Sequence, residues 1–177
     1  MKRIFTLLAL IVGFSGTTLA QGTLEPKSSP LDISTTTVGD TYIKVVYSRP
    51  HKKGRDIFGG LVPFNKVWRT GANAATEITF TGDVEINGEE IEAGTYSLYT
   101  IPSEDSWTVI LNSDLGQWGA YRYNEDNDVL RFEVETQETE VTWEPFTIVL
   151  ETEGRKSNLK MMWDTTMVSF KITPTND

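Results

Sequence analysis

The sequence predicts an all-β fold: an antiparallel β-sandwich, or a closed barrel-like variant of one, carrying one long basic loop. Three observations lead there. Short runs rich in β-branched and aromatic residues recur along the chain, and several alternate polar with apolar positions. Turn signals such as Gly39-Asp40 and Asn87-Gly88 separate them at short intervals. No stretch carries a helical apolar period, so the helical crossovers that parallel strands need are missing.

Taken in order, residues 1–20 read as a cleaved signal peptide. Lys2 and Arg3 form a positive start, Ile4 to Phe14 a short apolar run, and Thr18-Leu19-Ala20 a small-residue cleavage site. The apolar run is too short to span a bilayer, and no second run of spanning length follows. The expected location is the periplasm or the medium. Residues 21–30 are polar with two prolines and read as a flexible tail. One β-domain is expected over residues 31–174.

Within it, Ile33 to Val38 and Thr41 to Ser48 form a hairpin across Gly39-Asp40. Thr76 to Thr81 alternates as a half-buried strand should. Val84-Glu85-Ile86 and Glu89-Glu90-Ile91 flank Asn87-Gly88, whose two positions both tolerate the positive φ of a tight hairpin turn. Gly94 to Ile101 and Trp107 to Asn112 follow as strands. Ser113 to Asp128 is irregular, and Val129 to Val134 and Thr139 to Thr152 resume the pattern. Pro145 inside the latter predicts an edge position or a bulge. Asn158 to Trp163 and Thr166 to Ile172 close the fold. The inward faces are expected to carry Ile43, Val45, Tyr47, Ile78, Phe80, Leu98, Val109, Leu111, Leu130, Phe132, Ile148, Leu150, Met162, Val168 and Phe170.

Composition excludes several functions. The chain has no cysteine, so disulfides, thiolate metal sites and cysteine nucleophiles are out. Loss of the leader removes two of the 16 basic residues and none of the 25 acids, taking the net charge from −9 to −11. A domain this acidic is not expected to bind nucleic acid. No cofactor motif is present: Gly59-Gly60 lacks the following helix and lysine of a phosphate loop.

Against this acidic background, Ser48 to Asn73 holds Arg49, Lys52, Lys53, Arg55, Lys66 and Arg69 with a single acid, Asp56. Its glycines and prolines break any regular period, while Ile57, Phe58, Leu61, Val62, Phe64, Val67 and Trp68 supply apolar anchors. A long irregular segment with anchors is a folded loop, and such loops are usually functional. Guanidinium groups offer a planar donor fork that fits carboxylate or phosphate. Arg49, Lys53, Arg55 and Arg69 are therefore candidates to converge on one anion. Asn73 would add an amide, Trp68, Trp118 and Tyr121 aromatic faces, and Glu77 a neighbouring carboxylate. The competing reading is internal: the arginines pair with the chain's own acids and latch the loop to the sheets, with Glu77 a natural partner for Arg55 or Arg69.

The run YSRPHKKGRDIFGGLVPFNKVWRTGANAAT (Tyr47 to Thr76) resembles the hallmark segment of a family of exported bacterial domains, domain of unknown function 2911. IEAGTYSLYTIP, WTVILN, QWGAYRYNEDNDVLR and VSFKI follow in the same order as in that family. The resemblance covers nearly all of the mature chain. It implies an envelope or secreted β-domain and assigns no catalytic residue.

Other constellations are weaker. His51 is the only histidine and has no partner for a zinc site. Asn124, Asp126 and Asp128 imitate a calcium loop, but Val129 stands where its turn glycine belongs, so a polar turn is the simpler reading. The expected function is a binding module for a small anionic or carbohydrate ligand. The alternatives are a hydrolase acting on envelope polysaccharide or a related ester, and a structural domain whose arginines are latches. No metal or cofactor is expected.

Overall fold

A computed structural model of the chain describes residues 28–175. The expected signal peptide and most of the expected tail lie outside the described residues. Ten strands make up the fold: β1 (Leu31–Val38), β2 (Thr41–Ser48), β3 (Thr76–Phe80), β4 (Val84–Ile86), β5 (Glu89–Ile91), β6 (Gly94–Pro102), β7 (Ser106–Asn112), β8 (Asp128–Glu135), β9 (Gln137–Glu153) and β10 (Lys156–Pro174). A single 3-10 turn, Glu125–Asn127, is the one helical element among the described residues. None is long and apolar enough to cross a membrane.

The strands form two antiparallel sheets, ordered β1-β2-β3-β6-β7-β8 and β5-β4-β10-β9. The sheets are separate, so the fold is a β-sandwich and not a closed barrel. The β4–β5 hairpin turns at Asn87 and Gly88, with φ of 55° and 83°, as a two-residue turn of this hand demands. Pro145 falls in β9, an edge strand, beside a register shift against β10. Along one seam, side chains join the layers. The Ile148 N–H of β9 donates to the Tyr47 hydroxyl of β2, and the Leu150 N–H donates to Ser34 Oγ of β1.

Alternating side chains from both sheets fill one core that includes Ile43, Val45, Tyr47, Ile78, Phe80, Leu98, Val109 and Leu111. Full burial of such side chains is worth about 1.5–3 kcal/mol each, so the sandwich has no need of a covalent cross-link. Trp107, Phe146 and Trp163 add the largest buried rings, with Trp68 supplied by the basic loop.

Three features depart from the sequence reading. First, β1 begins at Leu31, two residues earlier than the pattern suggests, because exposed Leu31 and Ile33 sit on the outer side of an edge strand. Second, the two expected closing strands are one continuous strand, β10. Its register shifts on either side of Asp164, a residue with φ of 56°. Leu159, Met161 and Trp163 face the core before this irregularity, and Val168, Phe170 and Ile172 after it. An irregularity of this kind resets the two-residue alternation. Met162, expected inward, is buried but stands outside the central cluster, and Met161 takes its place. Third, the outer face of the six-stranded sheet has its own small core. Ala75, Tyr99 and Ile110 are covered there by Val67, Ile101, Ala120 and Tyr123.

Candidate functional site

The basic loop is tied to both sheets. On one side the Lys52 N–H donates to the Glu144 carbonyl (2.7 Å) and the Phe146 N–H to the Pro50 carbonyl (2.8 Å), so His51 pairs with Pro145 of β9. On the other, Trp68 and Thr100 exchange backbone hydrogen bonds of 2.7 and 3.0 Å. They do so where β3 has ended and β6 continues. Between these ties, residues 56–62 form a tight turn: the Leu61 N–H reaches the Asp56 carbonyl and the Val62 N–H the Ile57 carbonyl. A Cβ at Gly60 would stand 2.6 Å from the Asp56 carbonyl oxygen, so the turn closes only around a glycine. Ile57 and Val62 enter the core, and Leu61 is left exposed.

A cleft of about 240 Å³ lies against this loop, lined by Ser28, Ser29, Pro50, His51, Lys53, Arg55, Leu61, Arg69 and Ala72. No carboxylate lines it, although the chain holds 25 acidic residues. Lys53, Arg55 and Arg69 have no ion-pair partner among the described residues. Arg55 is folded back on the loop, its Nε donating to the Lys52 carbonyl (3.0 Å) and its Nη2 to the His51 carbonyl (2.6 Å). Nη1 is not engaged by either bond. Arg69 buries its Nε without a hydrogen-bond partner.

The backbone carries strain beside these groups. Lys53 has φ of 49°, and Thr70, the buried neighbour of Arg69, has φ of 52°. Positive φ is unusual for any non-glycine residue and rarer still for a β-branched one; it costs about 1–3 kcal/mol and concentrates at functional sites. Thr70 is held in place by Thr76 Oγ1, which donates to its carbonyl (2.6 Å), and by a hydroxyl contact with Thr100 (3.1 Å). These restraints fix the direction in which Arg69 leaves the chain.

The remaining expected site residues are dispersed. Arg49 points into the seam, donating from Nη2 to Thr147 Oγ1 (2.8 Å), with Nη1 3.4 Å from Asp32. Its neighbour Lys52 is likewise paired, with Asp164 of β10. Trp68 is a core residue: its indole stacks on Trp163 and donates to the Gly71 carbonyl (3.1 Å), leaving no face for a ligand. Asn73 spends its side-chain amide N–H groups on the Ser29 carbonyl and Ser48 Oγ, while its backbone carbonyl accepts from the Gly119 N–H. Glu77 pairs with neither Arg55 nor Arg69 but accepts the Gly116 N–H (2.9 Å). It lines a separate, smaller hollow with Tyr47 and Ala74.

Trp118 and Tyr121 lie beyond Arg69, on residues 113–124. Backbone bonds from Ala75 to Gln117 and from Gly119 to Asn73 pin this segment down. The two rings stand out from it, 65% and 83% exposed. With Gly116, Gln117 and Arg122 they line a groove of about 410 Å³. Gly119, at φ of 71°, stands between one residue of each: a Cβ there would meet the Tyr121 ring at 2.8 Å and Arg69 Nη1 at 3.1 Å.

His51, Ser28, Ser29, Leu61 and Ala72 belong to the cleft but were not among the expected site residues. The one signal for His51 was its place beside Pro50 at the start of the loop. The segment that imitated a calcium loop is a capped turn: Asn124 Oδ1 accepts the Asp126 N–H. Asp128 accepts from Asn112, from the Tyr123 hydroxyl (2.6 Å) and from Arg131. Burial, with the bond to Asp128, pushes the Tyr123 hydroxyl well above its ordinary value. Burial likewise pushes Tyr47 up to about 12, reinforced by its bond to Asp32 and opposed by the Ile148 amide.

The fold and site therefore define a two-sheet β-sandwich whose basic loop opens a cationic cleft at the junction of the sheets. The chain belongs to the family described as protein of unknown function (DUF2911), whose model matches residues 29–172. No curated protein and no solved structure matches it.

Proposed function

We propose that this is an exported binding module that holds a small anionic ligand in the cleft of His51, Lys53, Arg55 and Arg69. One observation carries the reading: three cations share a cavity without a carboxylate, in a chain with a large surplus of acids. Bringing like charges together costs free energy unless an anion compensates them. The backbone strain at Thr70 is a further cost that a purely architectural role does not require. A carboxylate or phosphate would take the donors that Arg55 and Arg69 leave open, and the Ser28 and Ser29 groups are polar neighbours for its substituents. The hydrolase reading finds less support: Glu77 is engaged by Gly116, Glu144 accepts the Lys53 N–H (2.8 Å), and neither of them nor Asp56 lines the cleft.

The test is titration of the described domain with galacturonate, glucose 6-phosphate and inorganic phosphate, read by amide chemical shifts. Binding should weaken as salt rises. It should vanish in the Arg55→Gln/Arg69→Gln double variant while the fold persists. Silence from every anion in the wild type would end the proposal.

A further inference from the structure

The groove beside the cleft presents two aromatic rings to water on a segment that is otherwise packed down. Ala120 and Tyr123 of that segment cover the outer core, and its backbone is bonded to residues 73 and 75. Trp118 and Tyr121 are exposed in spite of this anchoring. Apolar rings held out from a folded surface mark interaction sites.

The chemistry of the lining narrows the occupant. Gln117 supplies an amide and Arg122 a guanidinium, and no carboxylate is present. The groove has no aliphatic residue in its lining, which disfavours a lipid tail or an apolar peptide side chain. A sugar ring suits it: the C–H face lies on an aromatic ring while its hydroxyls meet the amide and guanidinium. The groove and the cleft share no lining residue, but they approach each other at Gly119. Arg69 lines the cleft, and its Nη1 packs at Gly119 beside the Tyr121 ring. A molecule that places a carboxylate against Arg69 therefore has the aromatic groove as its next surface.

We infer that the ligand is an acidic oligosaccharide, one uronate carboxylate seated in the cleft and a neighbouring sugar ring stacked on Trp118 and Tyr121. The inference rests on the cleft reading above and adds a second subsite to it. The groove acts through avidity: a second contact on the same molecule raises affinity without any change in the first.

Calorimetric titration with galacturonic acid, tetragalacturonate and the neutral cellotetraose tests it. Tetragalacturonate should bind at least about tenfold more tightly than the monomer, beyond the roughly fourfold that repeated units give by statistics alone. Trp118→Ala should abolish that gain and leave the monomer's affinity unchanged. Trp118 is largely exposed, so its removal spares the fold. Trp118 is also the one exposed tryptophan of the five, so acrylamide quenching should report its protection by tetragalacturonate. An unchanged tetragalacturonate affinity in Trp118→Ala, or equal affinity for cellotetraose, overturns the inference. Binding of phosphate or of the monomer with no gain for the tetramer overturns the second subsite and leaves the cleft standing. Failure of every anion removes both.

Discussion

Trp68 of the basic loop and Trp163 of β10 stack with ring centroids 6.0 Å apart and planes 17° from parallel. Phe146 and Trp107 pack around Trp68 at 5.0 and 6.0 Å, so one loop residue touches rings from both sheets. Removing it should loosen the loop and the sandwich together. Trp68→Ala is expected to cost about 3–5 kcal/mol, the usual range for a large ring deleted from a core. Urea denaturation measures the loss, and a change below about 1 kcal/mol would mean that the loop is not part of the core.

Arg49 and Arg69 should respond in opposite ways to the same substitution. Arg49 is bonded to Thr147 and lies near Asp32, so Arg49→Met should cost about 1–2 kcal/mol, allowing for its partial exposure. Arg69 has no ion-pair partner among the described residues and shares its cleft with Lys53 and Arg55, so Arg69→Met should leave the melting temperature unchanged or raise it. Anion binding should fall in the Arg69 variant. Equal destabilisation by both would make Arg69 a latch.

Gly119 has positive φ, and a Cβ there would press on the Tyr121 ring and Arg69 Nη1. Gly119→Ala should destabilise by about 1–3 kcal/mol through strain alone. Because the added methyl meets Arg69 and Tyr121, anion affinity should drop as well. A variant that loses stability but binds as before would show that Arg69 does not depend on this contact.

Stability should decline in alkali. Tyr47 is pushed up to about 12 in the folded chain, against 10.0 ordinarily. Above about pH 10 the unfolded chain gives up the Tyr47 proton while the folded chain keeps it, so the stabilising contribution present below that pH is lost as pH rises through 12. Tyr123, Tyr99 and Tyr96 are raised too and act in the same direction. Denaturation midpoints taken from pH 8 to 11.5 should fall, and Tyr47→Phe should lower the plateau and flatten the slope. An unaltered slope in that variant would assign the loss to the other tyrosines.

Much of the sandwich is legible because strand patterns and hairpin turns are local. Asn87-Gly88 announces its turn, and the alternation from Thr76 to Phe80 gives its buried face directly. What the sequence hides depends on long-range pairing. The face switch near Asp164 moves Met161 inward in place of Met162, and no local signal marks it. Tyr99 and Ile110 look like ordinary outward residues until the segment after β7 folds over them. In the loop, the clustering of positive charge was readable, but the direction of each side chain was not. Arg49 and Lys52 turn toward acids on β1 and β10, whereas Lys53, Arg55 and Arg69 meet at the cleft. Trp68 has the composition of a stacking platform and the position of a core residue, a distinction fixed by its backbone pairing with Thr100.

The loop's two backbone ties, one at Pro145 and one at Thr100, have a mechanical consequence. They bracket the cleft from opposite layers, as stitches hold the two lips of a seam. Any sliding of one layer over the other must pull on the loop and spread the cationic groups. An anion of the proposed kind, seated among them, would resist that shear and so would stiffen the whole sandwich and not only the rim where it sat.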